Sequence, residues 1–133
     1  MNIMLFSNGK LNGNDNILQY GAEWIKPMME KTKPKKLVFI PYAVIRGSYA
    51  ERTEAVQAAF QNYDCDIVGI HETDDPVEAI KQADGVIISG GNTWVLNRMM
   101  HDQGLIKPIR QAVIEQNKLF IGWSAGTNVA TPT

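Results

Sequence analysis

The sequence predicts a three-layer α/β fold, a doubly wound, mostly parallel sheet with helices on both faces. Two observations predict it. Short runs of consecutive apolar residues recur along the 133 residues, as expected of parallel strands buried on both faces. Segments whose apolar residues follow helical spacing lie between most of those runs. Such βαβ alternation implies right-handed crossovers and a parallel sheet.

Taken in order, Asn2–Ser7 is the first strand. It starts almost at the N-terminus without a basic segment before it, and Ser7-Asn8-Gly9 closes it, so it is too short for a signal peptide. Ile17, Gly21, Ile25 and Met29 then fall on one helical face, with Pro27 expected to kink or split that helix. The second strand, Lys36–Ile40, leads into Pro41-Tyr42-Ala43, and Tyr49, Thr53, Val56 and Phe60 share the face of the next helix. Asp66–Ile70 is the third strand. Asp75-Pro76-Val77-Glu78 supplies an N-cap, a proline at N1 and a capping-box glutamate. Gly85–Ser89 is the fourth strand, followed by Gly90-Gly91 and a helix capped by Asn92 or Thr93 that carries Leu96, Met99 and Met100. Ile109, Ala112, Val113 and Gln116 form a last helical face before the fifth strand, Leu119–Gly122.

Composition narrows the function classes. A single domain spans 1–133, and it is long enough to bury about two-thirds of the surface of its unfolded chain. The net charge is −1 with no basic stripe, which offers nothing to nucleic acid or an anionic membrane. No apolar stretch approaches the length of a membrane span. Cys65 is the only cysteine, so no internal disulfide forms and a reducing cytoplasm is the expected location. Asp74 and Asp75 read as cap residues rather than a metal pair, and no Cys/His cluster suggests zinc; neither a metal nor an organic cofactor is indicated.

The chemistry concentrates at Gly122-Trp123-Ser124-Ala125-Gly126. A serine between glycines, where an apolar strand turns into a helix, is the pattern of a nucleophile elbow. By itself Gly-x-Ser-x-Gly arises by chance in roughly 4% of chains of this length, so its position after a strand carries the weight. The alternative is a tight strand-to-helix turn with a capping serine. Ser89-Gly90-Gly91-Asn92 leaves backbone N–H groups that, with the amide of Ala125, suit an oxyanion hole; a Gly-Gly turn into a capped helix uses the same amides. Ligands in such sheets bind beyond the carboxyl ends of the strands, which brings together Ser7-Asn8-Gly9, Pro41-Tyr42-Ala43, the Gly90-Gly91 loop and the Ser124 turn.

A general base is harder to place. His71 ends the third strand on the same edge and reads as a structural or substrate-contacting residue before it reads as a base. His101 lies near a helix C-terminus, where an imidazolium meets the helix dipole favourably, and reads as structural. Trp24 is expected in the core, whereas Trp94 and Trp123 lie near the glycine loops and would line a pocket. Gly90, Asn92, Trp123 and His71 are the candidate substrate contacts, and Arg46 is a possible cation for an acidic substrate, or a solvated loop arginine.

Several blocks together carry a family likeness: Leu5-Phe6-Ser7-Asn8, Val38-Phe39-Ile40-Pro41-Tyr42-Ala43, Gly69-Ile70-His71 followed by Asp75-Pro76, Gly90-Gly91-Asn92-Thr93, and Ile121 through Asn128. They resemble the peptidase E family, α-aspartyl dipeptidases of the serine-peptidase class with a class I glutamine-amidotransferase-like, flavodoxin-like fold. The resemblance implies that Ser124 is the nucleophile, that Gly91 and Ala125 supply oxyanion amides, and that the substrates are small peptides with an N-terminal aspartate. In that family a C-terminal portion provides the triad histidine and its acidic partner, and no position here matches them. The chain is therefore read as the N-terminal, nucleophile-bearing part, truncated just after the nucleophile helix begins and inert by itself. A sheet cut at that point would expose its last strand as an apolar edge, through which the chain is expected to form a homodimer.

Other readings use the same residues. A cyanophycinase-like hydrolase would place a similar elbow on an aspartate-rich polymer. A non-catalytic module would hold a carboxylate or phosphate on the glycine amides, which needs no histidine. A general acyl-hydrolase of the α/β-hydrolase type would also need a later histidine, and the Gly90-Gly91-Asn92 loop fits it less well.

Overall fold

A computed structural model describes residues 2–6, 21–45 and 47–130. The expected loop Ser7-Asn8-Gly9, Ile17 of the first helical face, Arg46 and the terminal 131–133 lie outside the described residues. The elements are β1 (Asn2–Phe6), α1 (Ala22–Thr32), β2 (Lys36–Ile40), α2 (Tyr49–Ala59), β3 (Asp66–Gly69), α3 (Pro76–Gln82), β4 (Gly85–Ile88), α4 (Thr93–Asp102), α5 (Ile106–Arg110), β5 (Leu119–Trp123) and α6 (Ala125–Ala130). A 3₁₀ turn, Ile70–Glu72, follows β3, and α5 runs on into a π turn, Gln111–Glu115.

The strands form one sheet in the order β1-β5-β4-β2-β3, and every pairing is parallel. Side chains alternate between two apolar faces, as strand geometry requires. Leu37, Phe39, Ile67, Ile87, Leu119, Ile121 and Trp123 pack with Ile25 and Met29 of α1 and Val56 and Phe60 of α2. Val38, Ile40, Val86, Ile88 and Phe120 pack on the other face, with Ile80, Leu96, Met100 and Ile109 from α3, α4 and α5. The result is the three-layer architecture expected from the continuous apolar runs.

Local signals act as their chemistry suggests. Asp75 caps α3 by accepting from the Glu78 N–H, and Pro76 occupies the first turn, where a missing N–H costs nothing. The capping-box role expected of Glu78 is corrected: among the described residues its carboxylate accepts from Gln82 Nε2, one turn along, and not from the Asp75 N–H. Asn92, not Thr93, caps α4 through the Val95 N–H. The carboxylate of Asp84 accepts the N–H groups of both Lys35 and Lys36, fixing the start of β2 against that of β4.

Four further expectations are corrected. Pro27 does not split its helix: α1 runs from Ala22 to Thr32 with the proline inside it. Trp24 is not in the core but 53% exposed, because Ile25 and Met29 define the buried face of α1 and Trp24 sits one residue off it. Gln116 is exposed and outside the buried face of its helix; its N–H bonds to Gln111 O, five residues back, so the wider π turn breaks the helical phase. Finally, β5 is no exposed edge. It pairs with β1 on one side and β4 on the other, and among the described residues the edges of the sheet are β1 and β3. The N-terminal strand covers the flank where self-association was expected.

One buried-group effect gives a pH prediction. Burial, reinforced by the carboxylates of Asp66, Asp84 and Asp64, pushes the Cys65 thiol from 9.0 up to about 11. The fold therefore favours the neutral thiol. Its contribution to stability is complete below pH 9 and is lost as pH rises towards 11. In urea titrations the parent is expected to lose more stability than Cys65→Ser across that window; parallel curves would refute the assignment.

Candidate active site

The site is built on an interior strand of the sheet. β5 runs buried through its whole length and ends at Trp123, and α6 begins at Ala125. Ser124 alone makes the change of direction, with φ +55°. A non-glycine residue in the left-handed region costs on the order of 1–3 kcal/mol and persists only where its surroundings over-determine it. Here the Ser124 N–H donates to Phe6 O at the end of β1 (2.9 Å), and the Ser124 carbonyl accepts from the Asn128 N–H (3.0 Å). Both glycines of the pattern serve close approach. A Cβ on Gly126 would lie 2.2 Å from Ile88 O, and one on Gly122 would lie 3.0 Å from the Gly126 carbonyl.

The loop after β4 faces the serine. A Cβ on Gly90 would stand 2.9 Å from Ser124 Cβ and 3.4 Å from its Oγ. Gly91 has φ +140°, and a Cβ there would fall 2.1 Å from Ala43 O. That carbonyl accepts the Asn92 N–H at 2.8 Å, so the loops after β2 and β4 are pinned together. Gly90, Gly91, Asn92, Ser124 and Ala125 thus sit on one edge of the sheet, where β4 and β5 lie side by side. Among the described residues, the N–H groups of Gly91 and Ala125 find no acceptor in a turn, loop or cap. Ala125 is fully buried and Ser124 is half-buried.

The other expected contacts are placed differently. Asn92 Oδ1 is committed to capping α4, and the neighbouring Thr93 Oγ1 accepts from Asn128 Nδ2, linking α4 to α6. Trp123 does not line a pocket: it is 1% exposed and backs the Gly90 loop from within the core, because its position in β5 points it towards α1 and α2. Trp94 is exposed on α4, with the Arg98 guanidinium 5.5 Å from its ring centroid.

Neither histidine approaches Ser124. His71 lies beyond β3, separated from β5 by β2 and β4, a lateral distance of about 14 Å at the usual strand spacing. Its ring folds back over Gly69 and meets Tyr49 edge-on at 5.5 Å. Among the described residues its Nδ1, which is buried, finds no hydrogen-bond partner, and its Nε2 is 3.4 Å from Glu72 Oε1. Tyr49 in turn meets Tyr42, whose hydroxyl donates to Gln103 Oε1; burial raises the Tyr42 phenol above its ordinary range. His101 is exposed in the last turn of α4, remote from the helix start beside the serine. Open clefts lie at the opposite edge of the sheet, one of them lined by Asn2, Lys35, Asp84 and Asn117. Among the described residues no three His, Cys, Asp or Glu side chains cluster as metal ligands, and no helix is long and apolar enough to cross a membrane.

The contribution of Thr127 is not anticipated from sequence. Its Oγ1 lies 2.6 Å from Phe6 O and 3.1 Å from Gly122 O. Only a hydroxyl three residues after the serine hints at it.

Comparison with known proteins adds the lineage. Residues 3–133 match the model described as peptidase family S51. Peptidase E of Shewanella denitrificans (strain OS217) is 36% identical over 129 residues, covering 97% of this chain and 53% of that protein. Peptidase E of Shewanella sp. (strain MR-4) is 39% identical over 130 residues, again 53% of its length. The chain thus spans about half the length of these curated relatives. Among solved structures, a protein provisionally named peptidase E from Listeria monocytogenes EGD-e superposes with a TM-score of 0.68 at 24% identity, covering 94% of this chain and 59% of that one. A peptidase from an acI-B1 Actinobacterium gives 0.69 at 22%, covering 93% and 54%. These two share the fold.

Proposed function

This chain belongs to peptidase family S51, and from that premise we propose that it carries the nucleophile half of a serine-type dipeptidase acting on Asp-X substrates. The observation that carries the reading is Ser124 at φ +55° between a buried strand and a helix, with Gly90 leaving open the space beside its Oγ. In this reading Ser124 Oγ attacks the carbonyl carbon of the Asp-X bond. The oxygen that gains negative charge is held by the N–H groups of Gly91 and Ala125. The amine of X leaves with a proton, and water then hydrolyses the aspartyl ester on Ser124. Ala125 is buried, and a donor shielded from water is worth more than an exposed one. Since both histidines stand away from Ser124, the proposal includes a base supplied by residues beyond this sequence. The selectivity for aspartate is what the family resemblance of the sequence blocks implies, and the lone Cys65 suits a cytoplasmic setting.

Exogenous imidazole can stand in for the missing base. The chain is expected to hydrolyse aspartyl p-nitrophenyl ester faster as imidazole is added, and faster than the alanyl ester, with Ser124→Ala removing the increment. An oxyanion hole and binding alone leave about 10³–10⁴-fold over water, so a modest but measurable rate is the expected scale. An imidazole effect equal in Ser124→Ala would defeat the peptidase reading. Saturable aspartate binding without turnover would favour the second reading, an anion-binding module built on the same amides.

A further inference from the structure

We propose that Thr127 is the positioning residue of the elbow, its hydroxyl holding Ser124 in the left-handed conformation by tying α6 to the ends of β1 and β5. A hydroxyl has one proton to give. The shorter contact, 2.6 Å to Phe6 O, takes it, and Gly122 O at 3.1 Å forms the weaker arm of a three-centre bond. The Phe6 carbonyl also accepts the Ser124 N–H at 2.9 Å. One carbonyl at the end of β1 therefore grips the turn at its first residue and again three residues later. The two partners of that grip are 121 positions apart in sequence.

The glycines cannot do this. Gly122 and Gly126 provide room for a close approach but exert no direction on the backbone between them. A strained residue relaxes unless something opposes it, and beside the two backbone bonds of Ser124 the Thr127 hydroxyl is the side-chain contact that bridges both sides of the turn. A further consequence is that β1, an edge strand, is coupled directly to the serine. The backbone part of this inference stands on geometry alone; its catalytic part rests on the peptidase reading.

Thr127→Val keeps the shape and removes the hydroxyl, while Thr127→Ser keeps the hydroxyl and removes the methyl; Thr127→Ala replaces the valine variant should that one not fold. Amide hydrogen exchange read by NMR comes first. In Thr127→Val the Ser124 N–H is expected to exchange about tenfold faster or more, while the amides of Val38 and Ile87 in the sheet keep their rates. Thr127→Ser should stay within about threefold of the parent. In the imidazole-assisted ester assay, kcat should fall by about 10- to 100-fold in Thr127→Val with KM unchanged, and Thr127→Ser should restore it. Parent-like Ser124 exchange in Thr127→Val overturns the proposal, as does equal loosening in both variants or acceleration spread over the whole sheet. A parent without turnover would defeat the peptidase reading, and the exchange result would still decide the role of Thr127.

Discussion

Ser124→Gly is expected to abolish serine-dependent turnover and at the same time to make the chain more stable. Ser124 has φ +55°, where a Cβ crowds the following carbonyl at a cost of about 1–2 kcal/mol. Glycine removes that crowding, and its greater freedom in the unfolded chain takes back roughly 0.5–1 kcal/mol. A net gain of about 0.5–1 kcal/mol remains, or a few degrees in Tm for a domain of this size. Ser124→Ala loses the same nucleophile but keeps the Cβ, so it should be as inactive as Ser124→Gly without the gain. Thermal melts and the imidazole-assisted assay on the two variants separate strain from chemistry. If Ser124→Gly were no more stable than Ser124→Ala, the left-handed turn would not be strained. A Ser124→Gly variant that kept its turnover would remove the serine from the mechanism.

The sequence made the strands legible because their evidence is local. Consecutive apolar runs as short as Lys36–Ile40 and Leu119–Gly122 suit strands buried on both faces, and the observed β2 and β5 agree with them to within a residue. The cap at Asp75 was equally local, a matter of four successive residues. Strand order was not, since nothing along the chain states that β1 inserts beside β5. That one topological step turns the supposed edge into an interior strand, and the order β5-β4-β2-β3 on its other side sets His71 three strands from the serine. The tryptophans show the same limit at smaller scale. Trp24 and Trp123 are each one residue from a change of face, and only packing decides that the first is exposed and the second buried. The Thr127 tie depends on β1 and α6 meeting across nearly the whole sequence, so no window of residues contains it.

Gly91→Ala should be the most damaging single-methyl change at this site, and a series of three glycines shows why. Gly104 has φ +65° with nothing within 4 Å of a would-be Cβ, so Gly104→Ala measures backbone strain alone, about 1 kcal/mol. Gly126 carries no positive φ, but its Cβ would lie 2.2 Å from Ile88 O, so Gly126→Ala measures close approach. Gly91 suffers both: φ +140° and a Cβ 2.1 Å from Ala43 O, a backbone atom that cannot rotate away. Because Ala43 O also holds the Asn92 N–H, relieving the clash must drag the loop after β4 away from the loop after β2. Destabilisation by about 3 kcal/mol or more is expected, the range of severe strain and overpacking. Losing a single oxyanion donor typically costs about 10²–10³ in kcat, and the displaced Gly91 amide should lower the assisted rate on that scale wherever the variant still folds. Urea midpoints should rank Gly91→Ala below both others. A midpoint for Gly91→Ala equal to that of Gly104→Ala would mean that the loop accommodates the methyl without moving, and the contact that aligns Gly91 with Ser124 would then be looser than the geometry requires.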